Sequence, residues 1–73
     1  MRQRLKNLRT TNNLSQAQVA EATGTTAAYY SQIENAERTG TLPYWLRVQQ
    51  YWGLSDADLW ALAKEGIVRE SKG

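Results

Sequence analysis

Between Leu14 and Val19 the chain carries a complete helix-start signature, and that signature constrains the fold more than any other stretch. Ser15 precedes Gln18 by three residues. In this S-x-x-Q spacing the hydroxyl accepts from the third helical N–H, and the glutamine returns to the cap N–H. Leu14 before the cap and Val19 at the fourth helical position add an apolar staple that fixes the angle of entry. Gly24 is the matching stop, and Thr26 is a good cap for whatever comes next. The spacing therefore predicts helices over 16–23 and 27–35, joined by a link so short that they must pack on each other. Val19 and Ala20 face inward from the first, Tyr30 and Ile33 from the second.

The flanking segments read the same way. Leu5 and Leu8 share one face of a basic segment over 2–11 that carries Arg2, Arg4, Lys6 and Arg9. Asn12-Asn13 ends it, because Asn tolerates a left-handed backbone. Thr41 caps a fourth helix, with Pro43 in the first turn, where a missing N–H costs little. Leu42, Trp45, Val48 and Trp52 form its apolar face, and Gly53 ends it. Ser55 caps a fifth, in which Asp56 and Asp58 complement the positive helix end and Leu59 and Leu62 face in. No apolar–polar alternation lasts long enough for a strand. The expectation is an all-α fold, with one domain over 1–64 and a charged tail over 65–73 that frays.

Composition removes most chemistry. The 73 residues contain no Cys and no His, which excludes disulfides, thiol nucleophiles, zinc ribbons and imidazole catalysis. Asp56 and Asp58 diverge at a helix start and suit capping better than acid–base work. No glycine-rich phosphate cradle is present. We expect no enzyme, no metal, no cofactor and no small-molecule ligand. Apolar runs fall far short of a membrane span of roughly 20 residues, and no apolar region follows the basic start. The expected setting is cytoplasmic.

Leu14-Ser15-Gln16, Val19-Ala20-Glu21, Gly24-Thr25-Thr26, Tyr29-Tyr30-Ser31-Gln32-Ile33-Glu34-Asn35 and Trp52-Gly53-Leu54-Ser55, in this order and spacing, resemble the phage repressor and Cro-like helix-turn-helix family. The resemblance spans Leu5 to Leu62 and implies a compact five-helix bundle, lambda-repressor-like, that binds operator DNA as a dimer and regulates transcription. The second helix of the pair then enters the major groove. By that likeness Thr26, Ala27, Ala28 and Gln32 face base edges. Gln32 can pair bidentately with adenine N6 and N7, worth roughly 1–3 kcal/mol of discrimination. Two alanines can only pack on thymine methyls, so specificity per half-site should be modest. Gln16, Tyr29, Asn35, Arg38 and Thr39 are the expected backbone ligands; Arg2, Arg4 and Lys6 could reach the flanking backbone, but a solvated basic helix face is the commoner account of them. Arg9 and Glu34 match a structural ion pair of the family.

Two departures stand out. Ala36 occupies a place where the family favours Gly, so the helix exit either changes shape or has Asn35 take the left-handed turn. Gln49 replaces a small apolar residue and needs a partner for its amide, or a rotated fourth helix. Tyr44, Arg47, Tyr51, Leu54 and Trp60 are the candidates for a homodimer surface. Net charge is +2, with the excess in the first half of the chain, a faint footprint for a DNA partner. The other reading is a protein-interaction module of the same fold, antitoxin- or antirepressor-like, with weak DNA binding or none.

Overall fold

Four of the five helices begin at a hydroxyl. The computed structural model describes residues 1–65 as α1 (Gln3–Thr11), α2 (Gln16–Ala22), α3 (Ala27–Glu34), α4 (Leu42–Trp52) and α5 (Asp56–Lys64). Most of the expected tail lies outside the described residues. Ser15, Thr26, Thr41 and Ser55 accept the N–H three residues on, at 3.0, 3.1, 3.4 and 3.0 Å. At Ser15 the reciprocal bond is also made, from its own N–H to Gln18 Oε1 at 2.8 Å. These are the four caps expected from the sequence.

Helix ends turn through left-handed residues, at Asn13, Gly24, Ala36 and Gly53. After α2, the Thr25 N–H reaches back to the Ala20 carbonyl at 2.8 Å and the Gly24 N–H to that of Glu21 at 3.2 Å. This paired closure satisfies carbonyls that the helix leaves open. The end of α3 closes likewise, from Glu37 to Gln32 at 2.8 Å and from Ala36 to Ile33 at 3.1 Å. Neither expected exit occurs there. Asn35 keeps a φ of −81°, and Ala36 itself adopts +63°. A methyl group in that conformation costs roughly 1–2 kcal/mol, tolerated because the bonds around it fix the turn.

Leu5, Val19, Ala20, Tyr30, Ile33, Tyr44, Trp45, Val48, Leu59 and Leu62 form the core, with Leu8, Leu14, Tyr29, Trp52 and Leu54 packed against it. Two expectations for α4 need correction. Leu42 is 69% exposed, since at the first position of α4 nothing packs over it. Tyr44 is only 4% exposed and belongs to the core. Its hydroxyl lies 3.0 Å from Thr23 Oγ1, and its ring meets Tyr29 edge-on. It is therefore unavailable to a partner. Gln49 finds its amide partner in Asp56, at 2.8 Å.

Arg2 is the largest correction. Expected on a solvated basic face, it is fully buried. Its Nε donates to the Leu62 carbonyl, Nη1 to those of Ile33 and Arg38, and Nη2 to those of Thr39 and Ala63, at 2.6–3.4 Å. All five donors of the guanidinium fork are used. The cation thus sits against the carbonyl ends of both α3 and α5, where the helix dipoles are negative. Its Cζ lies 5.1 Å from the Trp45 ring centroid, and the Arg2 backbone N–H donates to the Glu34 carbonyl at 2.8 Å. Burial lowers its pKa, while Glu65 pulls the other way.

Candidate nucleic-acid interface

The α2–α3 pair is held to α1 by one buried carboxylate. Glu34 Oε2 accepts from Arg9 Nε at 2.7 Å and from the Tyr30 hydroxyl at 3.0 Å. Oε1 accepts from Arg9 Nη2 at 3.1 Å and from Gln16 Nε2 at 2.9 Å. Four donors meet about four lone-pair sites, so the group is saturated. Burial alone pushes the Glu34 pKa up. The bonds from Arg9, Gln16 and Tyr30 outweigh that, and the carboxyl stays below its usual range. Burial and the adjacent carboxylate both push the Tyr30 hydroxyl up, so it remains a donor. The Glu34 bond is the main reason the Arg9 pKa is raised. Arg9 Nη1 also donates to the Leu14 carbonyl at 2.9 Å, fixing the entry to α2. Arg9 and Glu34 therefore pair as expected.

With Tyr30, Ile33 and Glu34 turned inward, α3 leaves its other side open. Thr26, Ala27 and Ala28 are exposed there, with Gln32 half-buried further along. Gln16 at the start of α2 is tied to Glu34 through one amide hydrogen and keeps a second. Asn35 and Thr39 are exposed in the segment that follows α3. The Thr39 hydroxyl belongs to a loop whose carbonyl is clamped by Arg2 and by Trp45 Nε1, the latter at 2.9 Å.

Arg38 joins the face in a way no sequence pattern suggests. Its Nε donates to Gln32 Oε1, and its guanidinium lies 5.6 Å from the Tyr29 ring centroid. Its backbone is held at both ends, N–H to the Gln32 carbonyl at 3.3 Å and carbonyl to Arg2 at 2.9 Å. Tyr29, Gln32 and Arg38 thus form one surface cluster along the exposed side of α3.

A family model described as a helix-turn-helix domain matches residues 1–62. The chain belongs to the helix-turn-helix domain family. No curated protein and no solved structure matches the chain.

In this helix-turn-helix domain α2 and α3 are the pair, and Gly24 makes the tight turn between them. Arg47 reaches across from α4 to lie beside Gly24. Tyr51 is exposed and rests on Trp52, with ring centroids 5.0 Å apart, and Leu54 is half-buried. Trp60 is 64% exposed and lines an open groove between α4 and α5 with Leu42 and Leu46. With Tyr44 in the core, the five candidates are not all available to one exposed surface. Sequence reasoning missed Leu42 and Leu46 on this surface, because the α4 periodicity assigned Leu42 to the core. Among the described residues no helix is long and apolar enough to cross a membrane.

Proposed function

We propose that this helix-turn-helix domain is a sequence-specific, repressor-type transcriptional regulator. It sets α3 in the major groove of double-stranded DNA and acts as a homodimer on a palindromic operator, in a prokaryotic cytoplasm. The observation that carries this reading is the uncovered side of α3. Thr26, Ala27 and Ala28 are open to solvent on a helix that the Glu34 cluster and the core hold rigidly from behind. Preorganised side chains on a rigid element are what base readout needs. Gln16, Asn35 and Thr39 flank that side and supply donors for phosphate oxygens, while Arg38 lies against Gln32 on the same face. Two domains related by a dyad would address half-sites about 34 Å apart.

The test is selection of duplexes from a random library, followed by anisotropy titrations of the best duplex at several salt concentrations. Enrichment of a symmetric site is expected, with a log–log salt slope of roughly −0.9 per phosphate contacted. A second reading, the protein-interaction module, is favoured by the exposed groove around Leu42, Leu46 and Trp60. Absence of binding to any duplex at low salt would decide for it.

A further inference from the structure

We infer that the Gln32–Arg38 pair reads guanine, and that Arg38 is the residue that sets this preference; the inference rests on α3 entering the major groove. A free glutamine offers one acceptor and two amide hydrogens, and so fits the adenine edge, which pairs an acceptor at N7 with a donor at N6. Gln32 is not free. Its Oε1 accepts from Arg38 Nε, and because Nε is a donor only, this bond fixes which end of the amide faces the arginine. The amide hydrogens of Gln32 are left to face a ligand.

Arg38 is held in place by more than that bond. Its guanidinium rests against the Tyr29 ring, and its backbone is tied to the Gln32 carbonyl and to Arg2. Among the described residues its two Nη groups have no hydrogen-bond acceptor. Arg38 Nε takes one of the two lone pairs of Oε1, so beside the Gln32 amide the pair presents mainly donors, the amide and Nη hydrogens, and a full positive charge. In the major groove guanine shows two acceptors, N7 and O6, whereas adenine sets its own N6 donors against that charge. Donors facing donors on a desolvated edge are left unpaired, which penalises adenine. The neighbouring Ala27 and Ala28 offer no hydrogen bond, so this pair is the main polar reader on the helix.

Three proteins test the assignment by selection from a random duplex library: the unaltered chain, Gln32→Ala and Arg38→Ala. We expect a G·C pair, favoured about tenfold, at the position whose preference disappears in Gln32→Ala. In Arg38→Ala the amide oxygen is released, and the same position should shift towards A·T. An A·T pair selected by the unaltered chain, or an unchanged G·C preference in Arg38→Ala, overturns the inference. A second measurement needs no variant. Replacing the selected guanine by 7-deazaguanine removes the N7 acceptor and should weaken binding about tenfold, and no loss overturns the assignment. Failure of the groove reading looks different: no protein enriches any duplex, or Gln32→Ala keeps every base preference. Either result removes the guanine assignment as well.

Discussion

Replacing Arg2 by alanine tests the internal frame of this domain most severely. The side chain donates to five carbonyl oxygens. Three of these keep another donor: Ile33 from the Ala36 N–H, Leu62 from the Glu65 N–H, and Thr39 from Trp45 Nε1. The carbonyls of Arg38 and Ala63 lose the only donor they have among the described residues. Stranding a fully buried acceptor costs about 1–3 kcal/mol; these two are part-buried, so together they cost roughly 2–4 kcal/mol. Removing a desolvated cation gives part of this back. The expected net loss is about 3 kcal/mol, against a total near 5–15 kcal/mol for a domain of ordinary stability. At roughly 4–8 °C per kcal/mol for a chain of this size, Tm should fall by about 12–24 °C. Urea unfolding followed by tryptophan fluorescence suits the test, since Trp45 lies against the guanidinium. Arg2→Lys, with one ammonium in place of a fork, should recover less than half of the loss. Arg4→Ala, at an exposed position, should change stability by less than about 0.5 kcal/mol. An Arg2→Ala variant as stable as Arg4→Ala would refute the reasoning and return Arg2 to the solvated face its local sequence suggests.

Ala36→Gly should stabilise the fold by about 0.5–1 kcal/mol in the same urea experiment, because glycine takes the +63° turn without strain. Acid should unfold the protein as Glu34 takes up a proton. Its folded pKa lies below the unfolded value, so its stabilisation is complete above about pH 4.5 and disappears as pH falls through the folded pKa. Midpoints measured from pH 7 down to pH 2 should show this slope, and Glu34→Gln should flatten it. Trp60→Ala should weaken self-association in sedimentation equilibrium with little change in Tm, as the side chain is mostly exposed. An unmoved monomer–dimer balance would place the interface elsewhere.

Caps and stops were legible in the sequence because they are local. Ser15 needs only Gln18, and Gly24 only the turn behind it, so the α2–α3 pair follows from about twenty consecutive residues. Arg9 and Glu34 were found through resemblance, since no periodicity links positions 25 apart. Arg2 was misread because arginine in a basic run normally stays solvated. Its burial depends on two helix ends, at Ile33 and Leu62, that meet only in three dimensions. Tyr44 was misplaced for a related reason: whether its ring faced solvent depended on Thr23, just past the end of α2, and on Tyr29 of α3. On the proposed reading face, Gln32 was visible as a hydrogen-bonding side chain. Its engagement by Arg38 required the helix exit at Ala36 to fold the chain back, a turn that local rules assign to glycine.

The clasp around Arg2 also decides how this domain tolerates being handled. Arg2 reaches Ala63 at 3.0 Å, and the Arg4 N–H donates to Glu65 Oε1 at 3.0 Å, so the two extremities of the bundle close on each other beside the last turn of α3. Strain on either α1 or α5 is therefore carried by the same contacts, so the first and last helices of the described bundle should come apart together rather than one at a time.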